Sequence, residues 1–109
     1  MRIFLLLVVF FYCFSIPAAA QKEATYWYFG DRAGINFKTG TARADTNGQI
    51  NTSEGCASIS DSKTGDLLFY TDGVSVWNYK HELMTGGTGL AGGYSSTQSA
   101  LIVPVPEAD

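Results

Sequence analysis

The stretch of sequence that decides the fold runs from residue 54 to residue 78 and reads EGCASISDSKTGDLLFYTDGVSVWN. Short runs of β-branched and aromatic residues alternate there with glycine and aspartate, which favour turns. We therefore predict three consecutive strands, over residues 57–60, 67–70 and 74–77. Turns over residues 61–66 and at Asp72-Gly73 separate them. The stretch indicates an antiparallel meander, and its residues make up no catalytic site.

The chain on either side of this stretch follows the same pattern. Further strands are predicted over residues 25–29, 35–37 and 99–103, a tight turn at Asn47-Gly48 and a glycine-rich loop over residues 86–93. The run over residues 25–29 has aromatic side chains on both faces, so we expect it to be buried between layers. Residues 21–109 show no helical periodicity. The sequence predicts an all-β fold, an antiparallel meander of the kind found in propeller-like domains.

The first twenty residues have the composition of a signal peptide. Arg2 precedes an uncharged apolar run over residues 3–16, and three alanines end at Ala20. We predict a signal-peptide helix over residues 1–20, cleavage between Ala20 and Gln21, and a single domain over residues 21–109. The apolar run is shorter than the roughly 20 residues of a membrane span, which disfavours an uncleaved anchor. The expected partners are therefore the Sec export machinery and signal peptidase, with membrane contact only before cleavage.

Charge and cysteine content exclude several classes of function. Residues 21–109 carry six basic and ten acidic side chains. This balance disfavours binding to nucleic acid or to an anionic membrane. Only Cys56 remains after cleavage, so no internal disulfide can form, and we interpret it as a buried free thiol. Cys56 and His81 together fall short of the four ligands of a zinc site.

Four patterns resemble functional motifs, but turns, loops or packing of the core explain each of them better. Residues 87–92 match G-x-G-x-x-G but have no helix after them, and residues 45–48 and 61–66 are incomplete as calcium loops. His81 and the serines Ser95, Ser96 and Ser99 lack the context of a nucleophilic triad. Tryptophans such as Trp27 and Trp77 could stack on sugars, but packing in the core is favoured. We therefore predict no catalytic, cofactor-binding or metal-binding residues and no cofactor.

The end of the sequence suggests a piece of a longer protein. The strand predicted over residues 99–103 is followed by Pro104 and Pro106, and the chain then ends at Asp109. An all-β domain of fewer than ninety residues without disulfide or metal is marginally stable by itself. We interpret the chain as a fragment.

Several motifs, in order, resemble a family of exported surface proteins of Bacteroidetes-type bacteria. They cover nearly the whole of residues 21–109 and are, by position, 27–30 (WYFG), 33–37 (AGINF), 54–61 (EGCASISD), 65–73 (GDLLFYTDG), 76–78 (VWN), His81, Met84, 87–90 (GTGL) and 95–104 (SSTQSALIVP). The resemblance is to the amino-terminal, β-propeller-like region of these proteins. It implies that the chain holds the first one or two blades. It also implies type IX secretion with a type B, gliding-motility-associated sorting domain in the full-length relatives, and it brings no catalytic residues.

Three functions remain open from the sequence. The leading hypothesis is a non-enzymatic module of a secreted or cell-surface protein, acting in adhesion, surface display or binding of a surface glycan or protein. The alternative is the amino-terminal fragment of an exported carbohydrate-active enzyme whose catalytic residues lie beyond Asp109. A structural component of a secretion or gliding apparatus is a second alternative. All three place the protein outside the cell or on its outer surface.

Overall fold

The computed structural model describes residues 2–3 and 21–106. Residues 21–106 form seven β-strands in two antiparallel sheets and contain no helix, which confirms the predicted all-β class. Apart from residues 2–3, the predicted signal-peptide helix and Ala20 lie outside the described residues, whereas Gln21 is described and exposed. No helix in the described part of the chain is long and apolar enough to cross a membrane.

The first sheet contains three strands in chain order, β1 (Tyr26–Phe29), β2 (Ala33–Asn36) and β3 (Arg43–Ala44). Tyr28 lies opposite Gly34 in the β1–β2 pair. A Cβ atom at Gly34 would lie 2.8 Å from Cδ1 of Tyr28. Glycine at this position therefore lets the tyrosine ring lie directly over the neighbouring strand.

The second sheet contains four strands, each paired antiparallel with the next along the chain. They are β4 (Ala57–Ser60), β5 (Leu67–Thr71), β6 (Ser75–Asn78) and β7 (Leu83–Thr88). The first three correspond to the strands predicted from residues 54–78. The predicted meander is therefore confirmed, with boundaries that differ by one residue.

The predicted turns of this sheet are held by aspartate side chains. Asp61 Oδ1 accepts hydrogen bonds from the backbone N–H groups of Lys63 (2.9 Å) and Thr64 (2.7 Å). Asp72 Oδ1 does the same for Val74 (2.9 Å) and Ser75 (2.8 Å). Glycines in the left-handed region complete both turns, Gly65 at φ 74° and Gly73 at φ 85°. Both aspartates act as turn formers, as the sequence predicts.

The core lies where the two sheets meet. Its buried apolar side chains are Tyr28, Ile50, Leu67 and Tyr70, with Tyr26, Cys56 and Trp77 packed against them. The facing edges of β1 and β4 are joined by few hydrogen bonds. The backbone N–H of Tyr28 donates to Oγ of Ser58 (3.0 Å), and that of Ser60 to the carbonyl of Glu23 (2.8 Å). The core is small for a chain of this length, and tyrosine supplies half of its buried side chains.

The prediction that the first strand is buried on both faces is wrong. Tyr28 is 2% exposed, but Trp27 is 51% exposed and Phe29 is also exposed. The face of β1 that carries Tyr28 packs into the core, whereas Trp27 and Phe29 on the other face remain exposed. The ring of Trp27 packs instead edge-on against Phe37, 5.8 Å between centroids, and its indole N–H donates to the carbonyl of Ala24 (2.8 Å).

The predicted strand over residues 99–103 is also wrong, because this segment has no partner strand within residues 21–106. Side-chain and backbone hydrogen bonds hold the beginning of this segment and the residues before it to Gly55, just before β4. Ser99 Oγ donates to the carbonyl of Gly55 (2.6 Å), and the N–H of Gly55 donates to the carbonyl of Ser96 (2.9 Å). Leu101 and Val103 remain exposed.

One glycine-based prediction fails, and another is confirmed only in part. Asn47 and Gly48 form no tight turn, and neither has a positive φ. Gly48 lies against Tyr28 instead, and a Cβ atom there would lie 2.6 Å from Cδ1 of the ring. The loop predicted over residues 86–93 begins later than expected, because Gly86 and Gly87 belong to β7. Gly87 fits there because a Cβ atom would meet Val76 Cβ at 3.1 Å.

Candidate functional site

A cleft of about 530 Å³ opens beside the core, and both sheets contribute to its walls. We call it the tyrosine cleft, and its lining residues are Tyr26, Tyr28, Asp45, Asn47, Asp66, Leu67, Tyr79 and His81. β1 supplies the first two tyrosines, and the segment after β3 supplies Asp45 and Asn47. The start of β5 and the turn between β6 and β7 supply the others. Aromatic faces and polar groups thus converge from four parts of the chain, as they do in ligand sites.

Asp45 is fixed in this cleft by hydrogen bonds to its side chain. The Tyr28 hydroxyl donates to Oδ2 at 2.9 Å, and the backbone N–H of Asn47 donates to Oδ1 at 3.1 Å. The amide of Asn36 lies 3.5 Å from Oδ2. A carboxylate has about four acceptor positions, so these contacts orient Asp45 and leave it able to accept another hydrogen bond.

The Tyr28 hydroxyl is held as a neutral donor. Burial raises its pKa well above the ordinary tyrosine value, and the adjacent Asp45 carboxylate raises the pKa further by accepting its proton in a hydrogen bond and by repelling a phenolate. The Tyr28 hydroxyl is therefore a hydrogen-bond donor that is already engaged by Asp45.

A second polar pair stands behind the cleft. The Tyr70 hydroxyl lies 2.9 Å from Nδ1 of His81 and accepts a hydrogen bond from the backbone N–H of Gln49 at 3.1 Å. Because the hydroxyl has one proton, it donates to Nδ1 when the imidazole is neutral with its proton on Nε2. The backbone of His81 is left-handed, with φ 64°. This conformation turns the ring back toward Tyr70 and Tyr28, whose centroids lie 5.7 and 5.6 Å away.

The turn that presents Tyr79 and His81 is organised by one asparagine. Asn78 Oδ1 accepts hydrogen bonds from the N–H groups of Lys80 (2.8 Å) and Glu82 (3.1 Å), and its carbonyl accepts from His81 (3.0 Å). Tyr79 is left 60% exposed on this fixed turn. The ammonium group of Lys80 lies 5.6 Å from its ring centroid, within the range of a cation–π contact.

Asp66 also lines the cleft and is paired with a lysine. Lys38 Nζ lies 2.5 Å from Oδ1 of Asp66 and also donates to the carbonyl of Thr64 at 2.8 Å. The hydrogen bond from Lys38 lowers the pKa of Asp66, and a hydrogen bond from Thr64 lowers it further. Asp66 therefore contributes an anion whose charge is largely balanced by a neighbour.

The motif-like patterns of the sequence are not assembled into reactive sites within residues 21–106. Gly87 and Thr88 lie in β7 with no helix after them. His81 lines the tyrosine cleft, whereas Ser96 and Ser99 line a different one beside Phe69 and Leu90. No group of three His, Cys, Asp or Glu side chains in the described part of the chain is arranged to hold a metal ion.

Sequence reasoning missed Asp45 as a site residue, because the pattern around it reads as turn chemistry. Its Oδ1 does bond the N–H two residues on. The partner that brings Asp45 into the cleft, Tyr28, lies 17 residues earlier in the chain.

Trp27 lies in a second, apolar cleft of about 520 Å³ between the edges of the two sheets. Its walls include Phe29, Cys56, Ile59 and Ile102. Few polar groups converge there, so it offers little to orient a ligand.

Comparison with known proteins adds no relative. No family model matches the chain, and neither a curated protein nor a solved structure matches it.

Proposed function

We propose that this chain is a non-enzymatic binding module of an exported or cell-surface protein and that the tyrosine cleft is its ligand site. One observation carries the proposal. Exposed aromatic surface at Tyr79, an oriented carboxylate at Asp45 and the Asn47 amide converge on one cleft from separate parts of the chain. Aromatic walls with a few fixed polar groups are the usual composition of sites for small polar ligands.

Export and propeller-like architecture belong to the same proposal. The leader composition of residues 1–20 supports passage through the Sec machinery. The sequential four-stranded meander β4–β7 supports a propeller blade, since blades are four-stranded antiparallel sheets. In such an arrangement the three-stranded sheet β1–β3 belongs to an adjacent blade.

The chemistry of the cleft favours binding over catalysis. The Tyr28 hydroxyl is buried, donates to Asp45 and has a raised pKa, so it is a poor base and a poor nucleophile at neutral pH. His81 is engaged by the Tyr70 hydroxyl through Nδ1. Among the remaining polar groups, the carboxylates of Asp45 and Asp66 can accept hydrogen bonds from a ligand, and the side-chain amide of Asn47 can donate or accept them.

Ligand-observed NMR on the purified protein tests the proposal. The full 109-residue chain is expressed in a bacterial host, and amino-terminal sequencing of the product checks cleavage before Gln21. Neutral oligosaccharides, small organic cations and short peptides are then screened by saturation transfer. We expect at least one class to bind and Tyr79→Ala to abolish that binding.

Tyr94→Ala is the matched control, since Tyr94 is also 60% exposed and does not line the cleft. Binding that Tyr79→Ala leaves intact, or no binding by any class, would contradict the cleft as the ligand site. Chemical turnover of a bound ligand would favour the enzyme alternative.

A further inference from the structure

Asp45 is a half-buried carboxylate with no cationic side chain paired to it in the described part of the chain. The single ion pair among those residues joins Lys38 to Asp66, another lining residue of the cleft. Partly buried charges are normally compensated by an opposite charge or by several hydrogen bonds. The Tyr28 hydroxyl and the Asn47 N–H orient this carboxylate without neutralising it.

The surface around this carboxylate is aromatic. Tyr26 and Tyr28 lie with nearly parallel rings, 6.4 Å apart between centroids at 14°, and the ring of His81 stands edge-on to Tyr28. Tyr79 closes the same cleft with a largely exposed ring. Tyrosine faces carry negative electrostatic potential and attract cations.

One of these rings already holds a cation. The ammonium group of Lys80 lies 5.6 Å from the ring centroid of Tyr79, although Lys80 itself does not line the cleft. The Tyr79 ring is therefore accessible to positive charge in this fold.

The charged residues that line the cleft favour a positively charged ligand. Asp45 lines the cleft without a cationic partner, Asp66 lines it as the partner of Lys38, and no lysine or arginine is among the lining residues. A carboxylate or phosphate ligand would meet like charge and no cationic donor. A cation would compensate Asp45 and contact the tyrosine rings together, two attractions that a neutral ligand lacks.

We propose that the tyrosine cleft binds a small organic cation of the quaternary-ammonium class, with Asp45 as its counter-ion and Tyr26 and Tyr79 as its aromatic walls. This inference rests on the proposed function of the cleft as a ligand site. A methylated ammonium fits because it spreads its charge over an apolar surface and donates no hydrogen bonds, which suits ring faces.

Paired isothermal titrations of the full chain with choline and with 3,3-dimethyl-1-butanol test the inference. The two molecules have nearly the same shape, and only choline carries a charge. We expect choline to bind at least about tenfold more tightly, which corresponds to the upper range of cation–π and counter-ion attraction. NMR shifts of the Tyr79 and His81 rings locate the binding.

Variants assign the attraction to named charges. Asp45→Asn keeps an acceptor for the Tyr28 hydroxyl and should weaken choline binding about tenfold. Asp31→Asn removes the same charge from an exposed position outside the cleft and should leave choline binding within about twofold. Lys80→Gln removes the ammonium group that competes for the Tyr79 ring, and it should tighten choline binding.

The outcomes separate this inference from the proposed function. If choline and its neutral analogue bind equally, the proposed preference for a cation is wrong but the cleft is still a ligand site. The same holds if only a neutral oligosaccharide binds in the cleft. Failure of every probe to shift the Tyr79 and His81 rings would overturn both. The comparison of choline with its neutral analogue uses the wild-type protein, so it tests the preference for a cation even if Asp45→Asn fails to fold.

Discussion

The rings of Tyr28 and Tyr70 lie 4.5 Å apart between centroids, inclined by 31°, and this contact joins the two sheets. Both residues are almost wholly buried, at 2% and 0% exposure. Their hydroxyl groups lead to different polar partners, Tyr28 to Asp45 and Tyr70 to His81. The pair therefore forms the centre of the core, and it also supports the tyrosine cleft, because Tyr28 lines the cleft and Tyr70 holds the lining residue His81.

Tyr28→Phe should reduce stability while keeping the ring contact with Tyr70. The variant removes the hydroxyl donor to Asp45, and a hydrogen bond to a charged group contributes about 1.5–3 kcal/mol. Urea denaturation followed by tryptophan fluorescence measures the loss. Tyr94→Phe, at an exposed ring, should change the free energy of unfolding by less than about 0.5 kcal/mol. Equal effects of the two variants would show that the Tyr28–Asp45 bond contributes nothing.

Gly48→Ala should displace the Tyr28 ring. The new Cβ atom would lie 2.6 Å from Cδ1, so the ring or the backbone must move, and overpacking of this kind costs about 1–3 kcal/mol. NMR shifts of the Tyr28 ring should change markedly. Gly40→Ala is the control, because it introduces left-handed strain at φ 84° with no atom within 4 Å of the new Cβ. It should destabilise the protein without moving the Tyr28 resonances.

The second sheet could be predicted from sequence because its signals are local. Asp61 and Asp72 each bond to N–H groups two and three residues ahead, so composition over a few residues specifies both turns. The strands between them follow from β-branched and aromatic runs. Secondary structure set by contacts within one turn is readable without tertiary information.

In the first sheet, β1 and β2 overlap the strands predicted over residues 25–29 and 35–37, but the cleft depends on contacts that composition does not encode. Asn47-Gly48 has a tight-turn sequence, but the fold uses Gly48 for its lack of a side chain against Tyr28. The apolar run over residues 99–103 has strand composition, yet no described strand is adjacent to pair with it. A strand prediction from propensity assumes a partner, and pairing is a property of the whole fold.

Acid should destabilise the protein partly through Asp61. Hydrogen bonds from the backbone N–H groups of Thr64 and Lys63 lower its pKa below the ordinary aspartate value. A carboxyl with a lower pKa in the folded state stabilises the fold above its unfolded pKa of about 3.9, and this contribution is lost as pH falls through the lower folded value.

Thermal unfolding between pH 5 and pH 2 measures the Asp61 contribution. Asp61→Asn keeps an acceptor oxygen for the turn and should flatten the fall of the melting temperature below about pH 4. Asp31→Asn makes the same charge change at an exposed position outside this turn. With Asp31→Asn, the melting temperature should still fall more steeply with decreasing pH than it does with Asp61→Asn. A slope unchanged by Asp61→Asn would show that the turn does not couple to protonation.

Cys56 should react slowly with thiol reagents in the folded protein. Burial raises its pKa, which lowers the fraction of reactive thiolate at any pH below that value, and the half-buried sulfur is also less accessible. In a Cys13→Ser background, labelling by a disulfide reagent at pH 7.5 should be slower in buffer than in denaturant. Moving the thiol to an exposed site with Cys56→Ser and Ser95→Cys should restore fast labelling of the folded protein. Labelling of native Cys56 as fast as that of the thiol at position 95 would contradict this prediction. It would show that reagent reaches Cys56 through the cleft that it lines with Trp27, and that its packing against the core is transient.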